Sequence, residues 1–293
     1  MLCLLFLPLP VNSLWWRELF NSGHTVLFAL LSFIIYQQIK AAAYLSNILT
    51  RYFLVLLIGA SLAVLTELLQ GFVQRDASLA DLYSDVFGLL AGLCLIAAYE
   101  LKKNQVRKKI VVLLAAGGGF LLIGVSPLLQ LSWSYVERQQ AFPVIADFGA
   151  DWTSRFLRLD DAVFLKQTRQ SREKAVYPVQ FNRGEYPGIS LIETEPDWSG
   201  YHSLRFNIFS ENEKSIMLTL RIHDVKHDLQ FSDRFNMRLI IRPGLNEINV
   251  PLQLVARAPR DRDLDLANVA GVILFASEPH ESVRLEVSNI YLE

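Results

Sequence analysis

The sequence predicts a chain of two unlike parts: an all-α transmembrane bundle of about five helices, then an all-β jelly-roll sandwich. Three observations predict it. The 293 residues are 52% hydrophobic and 19% charged, with a mean hydropathy of +0.28, too apolar for an ordinary soluble chain and too charged for a wholly buried one. The charge is unevenly placed: residues 1–135 hold nine Lys/Arg and six Asp/Glu, whereas residues 136–293 hold 19 and 23. The apolar residues also change from long unbroken runs in the first part to alternation in the second. The division expected is therefore a membrane domain over 1–135, a connector over 136–146 and a soluble domain over 147–293. A net charge of −1 with no Lys/Arg-rich stripe argues against a nucleic-acid binder.

Taken in order, the stretches without a formal charge are Met1–Trp16, Leu19–Ile39, Tyr52–Thr66, Val86–Tyr99 and Ile110–Val136. A spanning helix needs roughly 20 mostly apolar residues. The second and fifth stretches meet this alone; the third and fourth meet it by extending past Glu67 or Asp85. Helices are expected near 1–16, 23–40, 52–73, 80–101 and 109–135. Five such runs in 135 residues disfavour helices buried in a soluble core. Met1–Trp16 is short and carries Pro8 and Pro10, but it lacks the basic start and small-residue cleavage site of a signal peptide. With five helices, Lys40, Arg51, Lys102, Lys103, Arg107, Lys108 and Lys109 share one side, against Arg17 and Arg75 on the other. The positive-inside bias puts the Lys102–Lys109 cluster in the cytoplasm and everything after Tyr135 outside. In a bacterium this means a multi-pass protein of the inner membrane, with membrane lipid as a partner and its C-terminal domain periplasmic or extracellular. Trp133 and Tyr135 suit the interfacial belt where the last helix exits.

Ionisable groups within such helices are costly and mark functional positions by default. Here they collect toward the outer ends: His24, Glu67, Gln70, Arg75, Asp76, Ser78, Asp81 and Asp85. Glu67 and Gln70 are three apart and Asp81 and Asp85 four apart, so each pair shares a helix face. Gly88 and Gly92 continue the Asp81/Asp85 face and would allow close packing on a neighbour. Ser78 and Asp81 also read as an ordinary N-cap and first-turn acid, and Arg75 as an interfacial anchor. Glu67 has no such reading, and burying it calls for Arg75, His24 or Gln70 as a partner.

The run from Thr66 to Gly88, with Glu67 and Gln70 ending one helix, Arg75 and Ser78 in the turn and Asp81, Asp85 and Gly88 on the next, resembles the core signature of the VanZ-like family. Gly23-His24 followed by Phe28 resembles that family's earlier histidine motif, so the resemblance covers roughly residues 15–100. Where similar proteins often carry an Asp-Lys pair before the histidine, this chain has Phe20 and Asn21. The family is named for glycopeptide-antibiotic resistance, which implies a cell-envelope role. Glu67, Gln70, Arg75, Ser78, Asp81 and Asp85 are the expected ligand-binding set of the membrane site. His24, Glu67, Asp81 and Asp85 are its candidates for acid–base chemistry. No cofactor is expected, and no metal, because the carboxylates lack a paired-histidine spacing.

After a connector and a basic stretch through Lys174, period-two strands follow. They centre on Leu204–Ile208, Ile216–His223, Met237–Ile241, Ile248–Leu252, Val272–Phe275, Val283–Val287 and Ile290–Leu292, with Pro243-Gly244 among the turns. About eight antiparallel strands suit a jelly roll. Asp197-Trp198-Ser199-Gly200-Tyr201, Arg221-Ile222-His223-Asp224, Asp233-Arg234-Phe235-Asn236 and the closing Val287-Ser288-Asn289-Ile290 resemble galactose-binding-like jelly rolls, the fold of many carbohydrate-binding modules. Ser288 stands where such modules often carry Asp. The outward residues Arg205, Asn207, Arg221, His223, Asn236 and Arg238 are expected to form one polar set for sugar hydroxyls, bordered by Trp198, Tyr201 and His227. An ordinary solvated sheet face with a buried Trp198 is the competing reading.

The expected function is recognition of an envelope glycan, glycolipid or lipid-linked precursor. An enzyme acting on such a substrate and a scaffold for another envelope protein are the alternatives. No Gly-x-Ser-x-Gly elbow or phosphate-cradling loop is present. Cys3 and Cys94 both fall in the apolar part, so the exported domain depends on its core and not on a disulfide.

Overall fold

A computed structural model describes residues 13–42, 47–70, 79–102, 106–168, 175–279 and 281–293. The chain divides into two compact units, residues 1–132 and 133–293.

The first unit is helical: α1 (Leu14–Ala41), α2 (Ile48–Gln70), α3 (Leu79–Lys102) and α4 (Arg107–Ala141), whose last turns belong to the second unit. All four are long and apolar enough to cross a membrane. Most of the segment expected over 1–16 lies outside the described residues, and its last three residues belong to α1. Ser13 caps that helix by accepting from the Trp15 N–H at 3.3 Å, and no helix breaker separates Leu14 from Ala41. Trp15 Nε1 donates to Ser132 Oγ of α4 at 3.0 Å.

α1 is the centre of the helical unit. Phe28 and Tyr36 are fully buried on it, packed with Val55 and Ala63 of α2 and Leu89 and Ile96 of α3. The α1–α3 seam is closed by small residues. A Cβ on Gly88 would overlap the Thr25 carbonyl, and one on Gly92 would overlap the Ser32 side chain and Ala29 carbonyl. Two polar pairs tie these helices at separate levels. His24 Nδ1 meets Asp85 Oδ1 at 2.9 Å, and Lys40 Nζ meets Glu100 Oε1 at 2.6 Å. The 16 residues between His24 and Lys40 rise about 24 Å. α1 and α3 therefore run parallel, and α2 returns between them. Exposed side chains such as Phe33, Phe53, Leu57, Leu68, Val111 and Leu122 are apolar, the surface expected of helices whose solvent is lipid.

The second unit is an antiparallel β-sandwich of jelly-roll class. Its strands are β1 (Val144–Ala146), β2 (Leu157–Asp160), β3 (Ala162–Phe164), β4 (Val176–Phe181), β5 (Gly188–Leu191) and β6 (Ser203–Ser210). Then come β7 (Ile216–Asp224), β8 (Phe235–Ile241), β9 (Gly244–Pro251), β10 (Val269–Ala276), β11 (Val283–Ser288) and β12 (Ile290–Leu292). One sheet has five strands in the order β2-β5-β10-β7-β8. The other has seven: β9 flanks β6 on one edge, and β11 and β12 lie end to end along the opposite edge, followed by β4 and β3 or by β1. Ser288 sits at the break between β11 and β12, where its hydroxyl accepts from the Asn207 N–H at 2.8 Å.

The core lies between the sheets. Leu204, Phe206 and Ile208 of β6 face Leu218, Leu220 and Ile222 of β7, all with exposures of 1% or less. Each such side chain contributes about 1.5–3 kcal/mol of burial. Trp198 is fully buried, with its Nε1 donating to the Glu195 carbonyl at 2.7 Å, so it belongs to the core and borders no surface site. Tyr135 of α4 packs edge-on against Phe156 with centroids 4.9 Å apart, and donates to Glu193. The Arg138 guanidinium lies 4.7 Å from both of those rings and its Nε 3.4 Å from Glu195. Of the two aromatics expected at a lipid interface, Trp133 is exposed whereas Tyr135 is engaged by the sandwich.

Candidate functional site

Three helices bring the polar side chains of the first unit together. α1 supplies His24, α2 supplies Glu67, and α3 supplies Asp81 and Asp85. Their exposures are 1%, 7%, 4% and 0%. His24 and Asp85 form the direct pair at 2.9 Å. One potential ligand atom from each of His24, Glu67 and Asp85 lies within 4.8 Å of the others. Sequence spacing does not show this grouping, because the three residues stand on different helices, 43 and 18 positions apart in the chain. His24 is held in place by the helix that carries it: Thr25, next to it, meets Gly88 of α3 and Gly124 of α4, and Phe28 buries the next turn of the same face. Gln70 closes α2. Its side chain and all of Arg75, Asp76 and Ser78 lie outside the described residues.

Such an arrangement has two chemical uses. A histidine and a carboxylate in contact can accept and pass a proton. An imidazole with several carboxylates can bind a cation or the polar part of a ligand.

In the sandwich, the six outward residues expected to act as one set are split between the sheets. Arg205 and Asn207 lie on β6 of the seven-stranded sheet, opposite Asn249 and Glu247 of β9. Arg221, His223, Asn236 and Arg238 lie on β7 and β8 of the five-stranded sheet. Alternation along a strand fixes which residues face outward but not which sheet the strand joins, and this is why the grouping fails. Arg205 is paired with Glu293.

The five-stranded face has two well-defined rows. Register aligns Asn236, Arg221, Ile273, Ser190 and Arg158 in one, and Arg238, Thr219, Phe275, Gly188 and Asp160 in the next. Phe275 is covered edge-on by Tyr186, with centroids 5.7 Å apart, and Tyr186 is 55% exposed. A Cβ at Gly188 would meet the Phe275 Cβ at 2.7 Å, so the glycine leaves room for that ring. The result is an apolar strip with Arg221, Arg238 and Asn236 on one side, the Arg158–Asp160 pair on the other, and an exposed aromatic beside it. Arg158, Asp160, Thr219 and Phe275 escaped the sequence reading. The available signal was the alternation Leu157-Arg158-Leu159-Asp160, within a segment read only as basic.

At one end of this face a polar lock holds Arg221. His227 Nε2 lies 3.1 Å from Arg221 Nη2 and its Nδ1 lies 3.0 Å from the Asp233 carbonyl. Arg262 grips the fully buried Asp224 with Nη1 at 2.5 Å and Nη2 at 2.7 Å, and holds Asp233 through Nε at 2.5 Å. Burial pushes the Asp224 carboxyl up, but the Arg262 contacts and the Asp265 N–H outweigh it and hold it below the usual range. Hydrogen bonds from Arg262 and from the Asp228 N–H take Asp233 down to about 2. His223 stacks over Gly271 and near His227, with ring centroids 5.3 Å apart. Burial, with Arg221 and His227 adding to it, drives His223 down to about 4. His227, Asp228 and Asp233 also offer ligand atoms within 4.8 Å, but both His227 nitrogens are engaged and Arg262 already supplies the positive charge there.

The chain thus pairs a bundle of membrane-crossing length with a jelly-roll sandwich. No protein-family profile matches the sequence, and comparison with curated proteins gave no match. Solved structures similar to it include an exo-β-agarase, at 17% identity over 51% of this chain and 24% of that one, with a TM-score of 0.41. Another agarase shares 15% identity over 47% of this chain and 24% of its own, with a TM-score of 0.37. A family 11 carbohydrate-binding module from Clostridium thermocellum, in complex with a β-1,3-1,4-mixed-linked tetrasaccharide, shares 16% identity over 50% of this chain and 92% of its own, at 0.38. The chain spans about a quarter of the length of the two agarases.

Proposed function

We propose that this is a VanZ-like integral membrane protein of the bacterial cell envelope, whose exported sandwich recognises a glycan, a glycolipid or a lipid-linked envelope precursor. The sandwich captures the sugar, and the His24/Glu67/Asp81/Asp85 cluster receives the polar part of the ligand near the outer ends of the helices. The observation that carries this reading is the five-stranded face. Its Ile273/Phe275 strip beside Tyr186 suits the apolar face of a sugar ring, and Arg158, Arg221, Asn236 and Arg238 suit its hydroxyls or acidic groups.

The test is binding of the full chain in detergent to an array of envelope glycans. Arg221→Ala and Tyr186→Ala should each weaken capture about tenfold, the equivalent of roughly 1.4 kcal/mol. Absence of binding to every envelope sugar would sink the reading and favour a scaffold for another envelope protein.

The His24–Asp85 contact favours a second reading, an enzyme using this pair with Glu67 and Asp81 for acid–base chemistry on the same substrate class. Glu67→Gln separates the two. Loss of function with the protein folded and abundant points to chemistry; loss of abundance with function points to helix packing.

A further inference from the structure

We infer that His24, Glu67 and Asp85 together hold a divalent transition-metal ion of the Zn2+ or Mn2+ class inside the helical bundle. Each ligand comes from a different helix, α1, α2 and α3, which is how bundles assemble metal centres from side chains on facing helices. The ligand atoms lie within 4.8 Å of one another. Neighbouring donors on a Zn2+ or Mn2+ ion at about 2.0–2.2 Å stand about 3.0–3.6 Å apart, so binding draws the more distant of the three carboxylate and imidazole donors inward from the 4.8 Å bound. The 2.9 Å between His24 Nδ1 and Asp85 Oδ1 is also an ordinary separation between neighbouring donors on one ion.

Burial makes this cluster unlike a surface patch of acids. His24 is 1% and Asp85 0% exposed, within helices of membrane-crossing character. With Nδ1 and Oδ1 turned to each other, His24 Nε2 and Asp85 Oδ2 remain buried with no hydrogen bond among the described residues. Leaving such atoms unsatisfied in an apolar interior is costly, and an ion held by both oxygens of Asp85 removes the share of that cost that falls on Oδ2. Asp81, one turn before Asp85 and 4% exposed, adds a third carboxylate around the single imidazole. A divalent ion takes the histidine as a neutral ligand. The donor set selects the metal. One imidazole with carboxylates suits Zn2+ or Mn2+ better than Ca2+, which takes oxygen alone, or Cu+, which takes sulfur.

This assignment deepens the membrane-site half of the proposed function, but its test uses no glycan, so either can fail alone. The full chain, purified in detergent without a histidine tag, is dialysed against Zn2+ or Mn2+ and its metal content measured by mass spectrometry. The expected result is about one ion per chain, falling at least about tenfold in His24→Ala and in Asp85→Asn. Because either variant can misfold, the loaded wild-type protein is also examined by metal-edge X-ray absorption, where imidazole scattering together with oxygen donors is expected. Wild-type protein that takes up neither metal stoichiometrically would overturn the assignment, as would full metal retention in both variants or a spectrum without imidazole.

Discussion

His223 and the Arg262 lock show how single side chains set the acid response of the sandwich. His223 titrates near 6.5 in an unfolded chain and at about 4 in the fold. Between those values the unfolded chain takes up a proton that the folded one refuses. The stability His223 contributes is therefore whole above about pH 6.5 and is lost as pH falls toward 4, by up to about 3 kcal/mol. Asp233 is also depressed, to about 2 from 3.8, so its contribution is intact above about pH 4 and disappears as pH falls toward 2. The two windows adjoin, and the urea midpoint should fall in two successive limbs on acidification. The measurement is fluorescence of the buried Trp152 and Trp198 in a chain whose Trp15, Trp16 and Trp133 are Phe. His223→Gln should remove the upper limb alone; an upper limb that survives it contradicts the assignment. Arg262→Ala leaves Asp224 buried without its cation and should cost about 3 kcal/mol at pH 7, read from the same urea midpoint.

At the scale of elements, the helices owe their seams to glycine and their faces to apolar side chains. Gly92 is closed in by Ser32 and Ala29, whereas Gly118 has nothing within 4 Å of its Cβ position. Gly92→Leu should therefore separate α1 from α3, at about 3 kcal/mol or more, and Gly118→Leu should be tolerated. The monodisperse fraction after detergent extraction distinguishes them, and equal loss for both would show that the seam is not tight. The four described helices were legible because unbroken apolar runs announce themselves without any tertiary information. The start of α1 at Leu14 was not, because its cap, Ser13, lies inside a run that reads as a separate segment. The β6–β12 strands were legible from alternation. β2 and β5 were not, because they are four residues long and their outward residues take meaning only from neighbours such as Ile273 and Phe275. The grouping of Arg205 with Arg221 failed for the same reason: sheet membership is a pairing property that one strand does not encode. The buried cluster was half legible. Polarity in an apolar helix marked His24, Glu67, Asp81 and Asp85, but their convergence depends on how α1, α2 and α3 pack.

For the whole molecule, the proposed topology rests on charge and on the parallel run of α1 and α3. The Lys40–Glu100 pair joins the C-terminal ends of those helices, so the connections after α1 and after α3 emerge on one side of the helical unit. Around those two connections stand Lys40, Arg51, Lys102, Lys103, Arg107, Lys108 and Lys109. Seven cations at two short connections bias that side to the cytoplasm, while Arg17 and Arg75 are each followed at once by an acid, Glu18 or Asp76. On the proposed reading, an α4 that crosses the bilayer from the Lys102–Lys109 cluster carries residues 142–293 to the opposite side, where envelope glycans would be met. The prediction concerns a chain with Cys3 and Cys94 replaced by Ser and a single Gln105→Cys. A membrane-impermeant maleimide should not label it in intact cells and should label it after lysis. A second chain with Ser215→Cys, in the loop between β6 and β7, should show the reverse: labelling in intact cells, once the outer membrane is opened where there is one. Labelling of position 105 from outside would invert the molecule and strand in the cytoplasm the face proposed to bind sugar. The envelope reading would then fail as a whole, whatever the sandwich binds in isolation, because orientation is the one property on which both halves of that reading depend.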